Sequence, residues 1–106
     1  MTPKGLERIR QRLDGLRSAS ANVTSSELET VAKSLGRKRK KKRGGEPMYV
    51  SKVFPQLTPL PIPSHPGALK RFTALSILNQ LDEDILQWEE YFSKQKTQTE
   101  KGSNNE

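Results

Sequence analysis

Cysteine is absent from the chain, which excludes disulfide frameworks and thiolate metal sites and fits a reducing compartment. Histidine occurs once, at His65, so a His–His acid/base pair and a multi-histidine metal site are both ruled out. Only 31% of residues are hydrophobic and 6% aromatic, so the core must be small and drawn from a few amphipathic elements. No apolar stretch approaches the ~20 residues of a membrane-spanning helix. The N-terminus also lacks the apolar run of a secretory signal. The expectation is a cytoplasmic protein. HExxH, zinc-knuckle, Walker and dinucleotide fingerprints are missing too, and no metal or small-molecule cofactor is expected.

What the chain has in excess is positive charge. Nineteen Lys and Arg against twelve Asp and Glu give a net charge of +7. Their distribution says more than the sum. Residues 36–52 hold eight basic side chains against Glu46 alone, whereas residues 82–106 hold seven acidic and three basic ones. At the centre lie Arg37, Lys38, Arg39, Lys40, Lys41, Lys42 and Arg43 in unbroken succession, closed by Gly44-Gly45. Like charges packed side by side repel, so such a run is tolerated where a polyanion or abundant solvent meets it. Nucleic acid is the obvious polyanion, because neutralising phosphates releases condensed counterions and gives sequence-independent affinity. The plainer alternative is a solvated charge run without a specific partner.

Periodicity organises the rest. Thr2-Pro3 reads as an N-cap with proline in the first turn, followed by Leu6, Ile9, Leu13 and Leu16 at helical spacing. Gly5 and Gly15 each weaken that helix by roughly 1 kcal/mol, so it needs packing to persist. Thr24 and Glu27 form the signature of a capping box. Leu28, Val31, Ala32 and Leu35 follow as an apolar stripe, and Gly36 is placed to end the helix in the left-handed conformation. The period then changes. Residues 37–43 are compatible with a strand, Met48–Phe54 is rich in aromatic and β-branched residues, and Gly44-Gly45 supplies the reversal between them. Pro59, Pro61 and Pro63 alternate with Leu60 and Ile62. That places every missing N–H on one side, so this segment is an edge strand if it is a strand, with a polyproline II segment as the competing form. Thr73 is a usable N-cap for a helix over about 73–93 whose stripe runs Ala74, Ile77, Leu78, Leu81, Ile85, Trp88 and Phe92. Residues 95–106 are polar and apolar-poor, and disorder is expected there. The order α-α-β-β-β-α predicts a two-layer α+β fold, with residues 1–21 as a helical extension, 22–94 as the domain and 95–106 as a tail.

Candidate chemistry is phosphate-centred. Asp82-Glu83-Asp84 clusters carboxylates, but successive helical positions diverge, so a solvated helix face is expected rather than a metal site. Cleaving RNA without a metal needs a base for the 2′-hydroxyl, a cation for the charged phosphorane and an acid for the leaving oxygen. Glu46, directly after the basic run, is a candidate base, and His65 a candidate acid. The alternative is that Glu46 relieves repulsion in the run and His65 is an ordinary loop residue.

Several segments then accumulate in order: the helix 25–35 ending at Gly36, the basic strand, Arg43-Gly44-Gly45-Glu46-Pro47-Met48-Tyr49, Leu60-Pro61-Ile62-Pro63-Ser64-His65-Pro66-Gly67 and Phe72-Thr73-Ala74-Leu75-Ser76-Ile77-Leu78. Over roughly residues 24–81 the chain resembles the HicA-type toxins of bacterial toxin–antitoxin pairs. The resemblance implies a double-stranded-RNA-binding-domain-like fold, metal-independent cleavage of mRNA and a HicB-type antitoxin protein as partner. The candidate RNA-contacting residues are 37–43, Gly44, Lys70 and Arg71. One departure is pointed. Gly44 matches the motif glycine, but Gly45 stands where the family has serine, and Glu46 stands where it has its catalytic histidine. The resemblance therefore leaves two forms open: a toxin that cuts with Glu46 as base, or a silent RNA-binding relative of the same fold.

Overall fold

The computed structural model describes residues 1–40 and 47–104, with side chains over 1–40 and 47–95. The expectations that fall on Lys41, Lys42, Arg43, Gly44, Gly45 and Glu46 lie outside the described residues.

Helix α1 spans Pro3–Ser18. It starts where the side chain of Thr2 accepts from the Gly5 N–H at 3.0 Å, with proline in the first turn, and it buries Leu6, Leu13 and Leu16. Helix α2 spans Ser25–Ser34 and opens on the expected capping box. Thr24 N–H donates to Glu27 Oε1 at 3.1 Å, and Glu27 N–H donates back to Thr24 Oγ1 at 3.3 Å. Gly36 has φ +94°, and a Cβ there would meet Val53 at 3.4 Å and Trp88 at 3.7 Å. Chain reversal and close packing therefore both favour glycine at this position.

Strands β1 (Arg37–Lys40), β2 (Met48–Ser51) and β3 (Leu60–Pro61) form an antiparallel sheet in the order β1-β2-β3. Arg37 pairs with Ser51, Lys40 with Met48, and Tyr49 with Leu60. β2 is shorter than its β-prone sequence suggests. Ser51 Oγ accepts from Phe54 N–H at 3.0 Å, turning the chain so that the Phe54 ring meets Trp88 edge-on at 4.9 Å. β3 is an edge strand, with Leu60 and Ile62 buried on one side and Pro61 exposed on the other. Ile62 N–H extends the pairing by donating to Pro47 O at 3.1 Å.

Helix α3 spans Arg71–Asn104. Ala74 N–H bonds Lys70 O at 2.9 Å, so Thr73 sits within the first turn and does not cap the helix. The backbone is helical through 95–104, where disorder is expected from composition, and Phe92 is the last described side chain that packs on the core. Leu13, Val23, Leu28, Leu35, Tyr49, Ile62, Leu78 and Leu81 are almost fully buried, so α1, α2, α3 and the sheet share one core. Trp88 Nε1 donates to Leu35 O at 2.9 Å and ties the end of α2 to α3. Among the described residues the architecture is α+β: three α-helices and a three-stranded antiparallel sheet. Among the described residues no helix is long and apolar enough to cross a membrane.

Candidate nucleic-acid interface

Side chains alternate across β1 and β2, so one sheet face carries Arg37, Tyr49, Ser51 and Leu60 toward the helices. The other carries Lys38, Lys40, Met48, Val50 and Pro61. Lys38, Arg39 and Lys40 are all exposed. On the outer face Lys40, Met48, Val50 and Pro59 line a shallow groove of about 230 Å³. Apolar floor and cationic margin occur together there, which suits a ligand with both an anionic backbone and flat apolar groups.

Arg37 is the exception within the basic strand. Its side chain is 1% exposed and holds Asp84, itself 1% exposed, through Nε to Oδ2 at 2.6 Å and Nη2 to Oδ1 at 2.8 Å. Nη1 donates to Tyr49 O at 2.8 Å and to Thr58 O at 3.1 Å. Four of the hydrogen bonds a guanidinium can donate are thus spent inside the protein. The expectation that Arg37 grips phosphate is corrected: its charge ties β1 to β2, to the loop before β3 and to α3. The solvated helix face expected for Asp82-Glu83-Asp84 is corrected at Asp84 for the same reason. Burial pushes the Asp84 carboxyl above the usual carboxylate range, and the Arg37 guanidinium opposes that shift. Asp82 instead pairs with Arg17 of α1, and Glu89 with Arg10.

His65, Lys70 and Arg71 belong to a second group, carried on the segment between β3 and α3 and on the first residue of α3. All three are exposed. Their segment is fastened to the start of α2: Leu69 N–H donates to Val23 O at 2.8 Å, and Thr24 bridges Ala68. Ser25 fixes the loop itself. Its hydroxyl donates to Pro63 O and accepts from His65 N–H at 3.3 Å. Patterning gives Ser25 only a place in the first turn of α2, and nothing in its spacing from His65 forecasts the contact. Tyr49, buried under α2, has its phenol pushed up by burial and then by the neighbouring Glu29 carboxylate, while Arg39 pulls the other way.

The described residues of the two candidate groups therefore sit on different elements, Lys38–Lys40 on β1 and Lys70 and Arg71 at the start of α3, on the segment fastened to Val23 and Thr24. Among the described residues no cluster of three or more His, Asp or Glu could hold a metal ion. No protein-family model matches the chain, and no curated protein and no solved structure matches it.

Proposed function

We propose that the chain is an RNA-binding protein of the HicA toxin type, an mRNA-cutting toxin held silent by an antitoxin of HicB type. The observation that carries this reading is the unit α2–β1–β2–β3–α3, an antiparallel meander flanked by two helices whose leading strand presents Lys38, Arg39 and Lys40 to solvent. That order is the one expected of a double-stranded-RNA-binding-domain-like fold, and a basic leading strand suits binding through phosphates.

The chemistry assigned to Glu46 and His65 follows from their residue types. In the proposed reaction Glu46 takes the proton of a ribose 2′-hydroxyl, and the 2′-oxygen attacks the adjacent phosphorus. The bond to the 5′-oxygen breaks, and His65 protonates that oxygen as it leaves. The products are a 2′,3′-cyclic phosphate and a 5′-hydroxyl, with no metal required. The cations of β1 lower the energy of the extra negative charge on the phosphorane. An acidic antitoxin would compete for the same cationic strand.

The test is retention of labelled single-stranded RNA by the purified chain across a salt series. The reading expects tight binding that weakens by ~0.7 log units of K per log unit of salt for each phosphate neutralised. Absence of binding at low salt overturns it. The silent relative remains the second reading, because glutamate stands at the position where the resembled family has histidine.

A further inference from the structure

Phe72 is 84% exposed, more than any other large apolar side chain among the described residues. It lies in the first turn of α3, directly after the exposed cations Lys70 and Arg71. Single exposed apolar residues are common on protein surfaces. Two observations set this one apart. Thr73 and Ala74, which follow it, turn toward the core, and Leu75 packs on the core's margin, so the ring is left outside by the helix geometry itself. No Asp or Glu occurs anywhere from residue 47 to residue 81, a span that carries Lys52, Lys70 and Arg71. The acidic side chains of α3 begin at Asp82, three turns further along the helix. The ring therefore sits in a cationic, carboxylate-free stretch of the chain.

We infer that Phe72 is a stacking platform for an unpaired base, with Lys70 and Arg71 holding the phosphates beside that nucleotide. A planar apolar ring with adjacent cations matches a nucleotide of single-stranded RNA, whose base has a π-face and whose backbone is anionic. A base inside a duplex keeps its faces covered by its neighbours, so the platform selects single strands or loops. This inference rests on the RNA-binding reading and deepens it by naming the form of the RNA. It also gives the cations beyond β3 a task separate from those of β1.

The experiment uses the full chain and one short RNA sequence, 2′-O-methylated so that it cannot be cut, offered single-stranded and as a duplex. Phe72→Leu keeps apolar bulk and removes the π-face, and Phe72→Trp enlarges the π-face. Thermal melting confirms that both variants fold, as expected for so exposed a side chain. The expected result is a loss of about five- to a hundred-fold in single-strand affinity for Phe72→Leu, the range found for deleting one stacking partner. Phe72→Trp binds at least as tightly as the parent, and duplex binding is unaltered in both. The salt slope is unchanged by Phe72→Leu and falls by ~0.7 per residue for Lys70→Ala and Arg71→Ala. Parental single-strand affinity in Phe72→Leu overturns the inference while leaving the RNA-binding reading intact. The inference is overturned in the same way if Phe72→Leu keeps its RNA affinity but loses an acidic protein partner, since the ring then belongs to a protein interface. Failure of the parent chain to bind any RNA overturns both.

Discussion

Arg37 and Asp84 meet side-on inside the protein, joined by two hydrogen bonds of 2.6 and 2.8 Å between side chains that are each 1% exposed. The first residue of the basic run thus belongs to the fold, whereas Lys38, Arg39 and Lys40, the other described residues of the run, are exposed. A buried pair of this kind adds little over a well-packed apolar substitute, but removing one partner strands the other charge. Arg37→Ala and Asp84→Ala are each expected to cost about 3–5 kcal/mol in denaturant unfolding. The double variant Arg37→Met with Asp84→Leu is expected to recover much of that loss. Equal destabilisation by the double variant would show that the carbonyl contacts to Tyr49 and Thr58 carry the cost.

On the proposed function, the same geometry separates a structural cation, Arg37, from phosphate-binding ones. Lys38→Ala and Lys40→Ala are each expected to lower the salt slope of RNA binding by ~0.7 while leaving stability within about 0.5 kcal/mol. A variant of Arg37 that still folds is expected to keep the parental slope. Salt titration of labelled RNA on the three variants makes the comparison.

Much of this arrangement is legible in the sequence, because its signals are local. The Thr2-Pro3 start, the Thr24/Glu27 capping box and Gly36 each rest on backbone chemistry within one turn, and each is found where it is expected. The alternation of Pro59, Pro61 and Pro63 with Leu60 and Ile62 points to an edge strand for the same reason. What escapes is long-range. Arg37 reads like its six cationic neighbours, and only its partner 47 residues away distinguishes it. A faint signal does exist. Asp84 lies three residues after Leu81 and four before Trp88, inside the apolar stripe of α3, where a carboxylate needs a buried partner. Ser25 holds the His65 loop across 40 residues, and no sequence period reports such a contact.

Ser25→Ala removes the hydroxyl that bonds both Pro63 O and His65 N–H. The expected cost is about 1–2 kcal/mol of stability, from the loss of hydrogen bonds at a buried position. If His65 is the acid, RNA cutting falls by about tenfold, the rate equivalent of ~1.4 kcal/mol in its positioning. RNA affinity stays close to that of the parent. A single-turnover assay beside a binding assay separates the two effects.

Tyr49 gives a prediction in pH. Its phenol is pushed up in the folded state, so the folded chain holds that proton more tightly than the unfolded chain does. The stabilisation is fully present below the unfolded value of about 10 and is lost as pH rises from there through the folded value. Tyr49→Phe has no phenolic proton to lose and is expected to be less sensitive to alkali over that range. Parallel alkaline unfolding curves for the two proteins would show that the phenol is not responsible.

The proposed mRNA cutting is tested most directly by cleavage of end-labelled single-stranded RNA by the purified chain in chelator, beside Glu46→Gln and His65→Ala. The expected result is cutting by the parent without metal, fragments ending in a 2′,3′-cyclic phosphate, and loss of cutting in both variants with RNA binding retained. A parent chain that leaves the RNA intact in chelator, while binding it tightly and in a salt-sensitive way, would contradict the cutting toxin and leave the silent RNA-binding relative.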